Sequence, residues 1–174
     1  MSVAIDHLCS QLLMKDGQAL RIRRMTEDDL DIVMRIEQSV FLSPWSRPAF
    51  VNEISENQLA VPLVAVVDKM ICGYLVAWVV MDELHIGTIA VDKAWQRHGI
   101  ATILLKEIFQ IALSSKCRIA YLEVRQSNLA AQRLYERFGF QRIGIRPKYY
   151  SPQHEDAIVM AKPLVGGEEE NGLV

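Results

Sequence analysis

Gln96 to Ala101 read Gln-Arg-His-Gly-Ile-Ala, between an apolar run that ends at Val91 and a long stretch with helical spacing. A helix begins with backbone N–H groups that have no partner inside it, and these sit at the positive end of its dipole. Gly99 lets an anion approach them closely, and Arg97 can add a charge-assisted contact. The chemistry on offer is phosphate binding. An ordinary strand-to-helix turn with a flexible glycine reads the same way. A Walker A loop is excluded because no Gly-Lys-Ser/Thr follows, and the dinucleotide fingerprint lacks two of its three glycines. Glu83 and His85 share one face of an alternating run, where they are either backup bases or plain surface groups. Cys9, Cys72 and Cys117 form no Cys-x-x-Cys pair. They read as structural thiols of a reducing, cytoplasmic setting, and no metal site is expected.

The elements that position these groups alternate in period. The chain has 174 residues, 51% apolar and 23% charged, with net charge −2, which fits one domain with a real core. That charge marks no nucleic-acid binder. Ala60–Val67 and Ile71–Met81 are too short to span a bilayer, and no basic-then-apolar leader opens the chain. Residues 1–18 read as an N-terminal extension in which Leu8, Leu12 and Leu13 could form a helical turn. Residues 19–164 form the domain, and 165–174, with Gly166-Gly167 and an acidic run, read as a flexible tail. Within the domain, Ala19–Arg24 alternates as a strand. Thr26 can cap a helix that ends near Phe41, and Ser46 a second that ends near Asn57. Two hairpins follow, turning at Asp68-Lys69 and Met81-Asp82. A helix from Ile100, a strand from Arg118, a helix from Asn128 to Gly139 and two closing strands complete the order β-α-α-β-β-β-α-β-α-β-β. The class is α/β, a mixed sheet with helices packed on it.

Gln96-Arg-His-Gly99-Ile-Ala101, placed between a strand and a helix, resembles motif A of the GCN5-related N-acetyltransferase (GNAT) superfamily, with alanine at the third small position. Leu122-Glu-Val-Arg-Gln-Ser-Asn128 and Leu134-Tyr-Glu-Arg-Phe-Gly-Phe140 resemble its motif B. Arg146-Pro-Lys-Tyr-Tyr150, Glu155-Asp-Ala157 and Ser43-Pro-Trp-Ser46 narrow the resemblance to the RimI-type ribosomal-protein-alanine N-acetyltransferases, over roughly 20–163. It implies a mostly antiparallel central sheet with helices on both faces, splayed where acetyl-CoA, the cosubstrate, lies. Ile89, Ala90 and Val91 would pair with the pantetheine arm. Arg97, His98, Gly99, Ile100, Ala101 and Thr102 would hold the pyrophosphate, and Asn128 would touch the coenzyme or simply cap its helix. Glu123 would be the base and Tyr135 the acid, in direct transfer to the N-terminal alanine of small-subunit ribosomal protein eighteen. Glu123 also fits a solvent-facing partner of Arg125, and Tyr135 a core aromatic. Trp45, Glu37, Tyr149 and Tyr150 are candidates for the peptide groove, with Trp45 equally able to pack the first two helices. A broader protein or small-amine acetyltransferase and a noncatalytic acyl-CoA sensor remain as alternatives. Oligomeric state is open.

Overall fold

The computed structural model describes residues 10–14 and 17–164. One eight-stranded sheet runs β1-β2-β3-β4-β5-β6-β8-β7, with β1 Ser10–Leu13, β2 Ala19–Arg24, β3 Ala60–Val67, β4 Met70–Val80, β5 Glu83–Val91, β6 Ile119–Arg125, β7 Gln141–Tyr150 and β8 Glu155–Pro163. Every neighbouring pair is antiparallel except β5 and β6. That parallel pair needs a crossover, and α3 (Ile100–Ser114) supplies it. The other helices are α1 (Leu30–Val40), α2 (Arg47–Val51) and α4 (Leu129–Arg137).

Helices cover both faces of the sheet. Leu104, Leu105, Ile108 and Ala112 of α3 pack on Leu63, Leu75, Leu84 and Leu122. Leu30, Val33 and Ile36 of α1, with Phe50 of α2, pack on Val64, Val66, Tyr74 and Val76. This explains why β3 is apolar at every position instead of alternating: all eight of its residues are buried, between two helical layers.

The sequence boundaries hold closely, with informative exceptions. Ser10–Leu13 is an edge strand paired with β2, not a helical turn, so the sheet begins inside the N-terminal extension. Thr26 does cap, through a reciprocal box with Asp29, but the first turn is 3₁₀, Glu27–Asp29, before α1 proper. Asp29 also accepts from both terminal guanidinium nitrogens of Arg23, at 2.6 and 2.7 Å, which ties β2 to the helix start. The second helix opens on a Ser46 cap with Pro48 in its first turn, and from Asn52 it widens into a π turn ending at Asn57. Cys9 and residues 165–174 lie outside the described residues.

Candidate active site

The turn expected to bind an anion has the geometry that its residue types imply. Gly99 caps α3 at φ +84°, a left-handed conformation that glycine adopts without strain. The amides of Ile100, Ala101 and Thr102 form the first turn, and the Ile103 N–H closes that turn on the Gly99 carbonyl at 3.0 Å. No acidic side chain stands in this turn and no side chain caps it, so the dipole end faces outward uncompensated. Arg97, at φ +66°, precedes Gly99. The turn is braced from behind. The Gln96 side-chain amide donates to the Val91 carbonyl at 3.3 Å, and the His98 ring packs edge-on against Trp95. The His98 ring is thus engaged in packing, and its Nδ1 lies 3.0 Å from the Gln96 carbonyl.

The splay that sequence could not reveal is explicit in the register. β5 and β6 pair from Glu83↔Ile119 to Ile86↔Leu122 and then part. On its other side β5 stays paired with β4 out to Val91↔Gly73, with a bulge that skips Gly87. One backbone edge of Ile89, Ala90 and Val91 is thus left available for an extended ligand, as strand addition needs. Gly87 can bulge because it has no side chain. A Cβ there would lie 2.3 Å from the Trp78 ring.

Glu123 is the first β6 residue beyond the fork. It alternates away from buried Leu122 and Val124, with 28% of its side chain exposed. Its partner is Arg146 Nη2 of β7, at 3.3 Å, rather than Arg125. Arg125 instead donates to Glu155 at 2.9 Å, and its guanidinium lies 4.1 Å from the centre of the Tyr150 ring. Tyr150 meets Tyr149 edge-to-face at 5.1 Å. Burial, then the neighbouring Tyr149, pushes the Tyr150 phenol up to about 12. Tyr135, on α4, is 6% exposed, with its ring packed against Phe140. Burial, then the facing Tyr150 phenol, drives its pKa well above the ordinary tyrosine range. Tyr150 thus lies within electrostatic range of both the Glu123 carboxyl and the Tyr135 phenol.

The remaining expected residues take other places. Asn128 caps α4, its side-chain oxygen accepting the Ala131 N–H at 3.1 Å. Trp45 packs between the first helices, against Phe50 at 5.4 Å and stacked on Trp78 at 6.1 Å. Glu37 does not line a groove. It is 1% exposed, accepting the Trp45 N–H at 2.7 Å and the Tyr74 hydroxyl, so it has no face to offer a cationic peptide. Glu83 binds His85 at 2.7 Å, and His85 stacks on Tyr121. Cys72 is buried and donates to the Ala65 carbonyl, its thiol pushed up to about 12 by burial, which excludes it as a nucleophile. Among the described residues no cluster could hold a metal, and no helix is long and apolar enough to cross a membrane. Sequence reasoning missed Ser43, Glu155 and Arg146 as bracing groups, because nothing in the chain brings 43 near 151. Gly87 carried a usable signal, since a lone glycine inside a strand pattern marks a bulge.

Burial pushes the Glu37 carboxyl up to about 7, against the partial opposition of the Trp45 amide. A carboxyl that holds its proton more tightly when folded favours the fold at low pH. This contribution is complete below the ordinary value near 4.5 and is lost as pH rises through about 7. The loss is on the order of 3 kcal/mol. Thermal denaturation from pH 5 to 8 should therefore show a falling Tm that flattens in Glu37→Gln, and an unchanged slope would contradict the assignment.

Comparison with known proteins agrees with this geometry. Residues 30–140 match the model of the acetyltransferase (GNAT) family. The [ribosomal protein bS18]-alanine N-acetyltransferase of Salmonella typhimurium is 37% identical over 142 residues, covering 80% of this chain and 95% of that protein. Its Escherichia coli K12 counterpart is 34% identical over 145 residues, covering 82% and 97%. The crystal structure of the Escherichia coli ribosomal-protein-alanine enzyme superposes with a TM-score of 0.78 at 31% identity, covering 88% of this chain and 99% of that one. The open dipole end, the forked sheet and these matches agree: the chain belongs to the GNAT family and is an acetyl-CoA-dependent N-acetyltransferase of the RimI type.

Proposed function

We propose that the protein transfers the acetyl group of acetyl-CoA to the N-terminal alanine of ribosomal protein bS18, in the cytoplasm, by direct attack within a ternary complex. The observation that carries this reading is the position of Glu123, first past the fork and partly exposed, with Tyr150 in electrostatic range of both it and the buried Tyr135 phenol. The names of relatives above 30% identity supply the substrate. The Arg97–Thr102 turn would bind the pyrophosphate, and the free edge of Ile89–Val91 the pantetheine amides.

A free α-amine has a pKa of about 7.7–8.0, so much of it enters protonated. Glu123 takes one proton and passes it to solvent. The amine nitrogen then bonds to the thioester carbonyl carbon, the C–S bond breaks, and the thiolate leaves with a proton from Tyr135. A second proton lost from the nitrogen restores Tyr135. A buried phenol parts with a proton reluctantly, but the same desolvation makes the departing thiolate more basic, which keeps the two matched. Tyr135→Phe should lower kcat roughly 10-fold or more while leaving acetyl-CoA binding intact. A rate unchanged across pH would reduce Tyr135 to packing. Tyr149 and Tyr150 would hold the peptide backbone.

The test uses two peptides that share a start of Ala-Arg-Tyr-Phe, one with a free N-terminus and one blocked but containing lysine, followed by intact mass. Acetylation of the free terminus alone supports the reading. Modification of the blocked peptide points to lysine acetylation, and modification of neither points to a small amine.

A further inference from the structure

We propose that Glu37 is a positioning residue for the acceptor side of the cleft, acting through the loop between α1 and α2. This rests on the peptide-acceptor reading above. Glu37 belongs to α1, yet both its oxygens are spent on other elements: one accepts the Trp45 N–H of the loop at 2.7 Å, the other the Tyr74 hydroxyl of β4. A carboxylate buried this deeply is costly unless its bonds are satisfied, and one of those two bonds holds the loop backbone.

From Trp45 the loop reaches the site in two directions. The Ser43 hydroxyl donates to the Ser151 carbonyl of the β7–β8 turn at 2.8 Å and accepts from Arg125 at 3.3 Å. Arg125 in turn lies over Tyr150, beside Glu123 on the strand. The Trp45 ring stacks on Trp78, whose own ring covers Gly87 where β5 begins to part from β6. Trp78 is held in turn by Glu53 at 2.6 Å. The buried carboxylate is thus the inner anchor of a strap that runs from the helical layer to the β7–β8 turn. With the anchor cut, the Ser43 bridge loses its fixed base. The body of α3, which carries the proposed coenzyme turn at its start, packs on the opposite face of the sheet from α1.

The test compares Glu37→Leu, which cannot accept a hydrogen bond, with Glu37→Gln, whose carbonyl can still accept from Trp45. Steady-state kinetics on the free Ala-Arg-Tyr-Phe peptide are read together with acetyl-CoA affinity and amide exchange of Trp45. Glu37→Leu should raise the peptide KM about 10-fold and speed Trp45 exchange, with acetyl-CoA affinity within about twofold, and Glu37→Gln should restore the KM. Should Glu37→Leu fail to fold, Ser43→Ala cuts the outer end of the strap alone. It should raise the KM while Trp45 stays protected, and an unchanged KM there would overturn the proposal. Fast Trp45 exchange with a wild-type KM would also overturn it, as would an equal loss of peptide and acetyl-CoA affinity. If the wild-type protein transfers nothing to the peptide, the function proposed above falls and the acceptor role with it. Trp45 exchange then still reports whether Glu37 anchors the loop.

Discussion

Glu123→Gln should lower kcat by about 100-fold or more, the range expected when a general base is removed from a proton transfer. Acetyl-CoA affinity should stay within about twofold, because the proposed coenzyme turn opens α3 while Glu123 lies on β6. The fold should be spared as well. The ion pair to Arg146 is long, at 3.3 Å, and half in solvent, so its loss costs at most about 1 kcal/mol. Pre-steady-state transfer, equilibrium binding and thermal denaturation separate the three. An equal loss of affinity and rate would make Glu123 a coenzyme-positioning group instead. A rate near wild type would shift the base to Glu83, which sits on β5 against His85 and short of the fork, where a water would have to carry the proton.

Gly87→Ala should destabilise the protein by about 1–3 kcal/mol and weaken acetyl-CoA binding. The added Cβ would sit 2.3 Å from one Trp78 ring carbon and 2.6 Å from the next. Trp78 cannot simply swing aside, since its indole N–H is bonded to Glu53 and its ring is stacked on Trp45. Either the indole is displaced or the bulge is flattened, and the bulge is where the free edge of β5 starts. For a chain of this size the Tm should fall by several degrees, roughly 3–10 °C. Gly144→Ala on β7 is the control: a Cβ there meets nothing within 4 Å and should change neither Tm nor binding. A Tm within about 1 °C of wild type for Gly87→Ala would mean that the indole yields freely.

Local pattern was enough for most of the architecture. Hydrophobic period separates α3, with Leu104, Leu105 and Ile108 on one side, from β6, where burial alternates strictly from Ile119 to Arg125. Caps and breakers placed Thr26, Ser46, Asn128 and Gly139, because these residues act through neighbours one to four positions away. The geometry of the candidate anion turn was readable for the same reason. Everything in it, from Gln96 to Thr102, is contiguous.

What only the tertiary structure decided are contacts between distant segments. Ser10–Leu13 became a strand because β2 offered it an open edge, a choice that four residues with two leucines cannot declare by themselves. The fork depends on where β5 stops pairing with β6, and pairing is a property of two strands, not of either one. Glu37 read as a surface acid near the groove, since a carboxylate in an amphipathic helix is ordinarily solvated. Tyr74 and the Trp45 amide, 37 and 8 positions away, are what allow it to be buried. Glu123 chose Arg146 over its neighbour Arg125 because β8 brings β7 alongside and sets Glu155 against Arg125. Short-range chemistry is written in the order of residues. Burial and charge partners are set by which elements the folded core presses together.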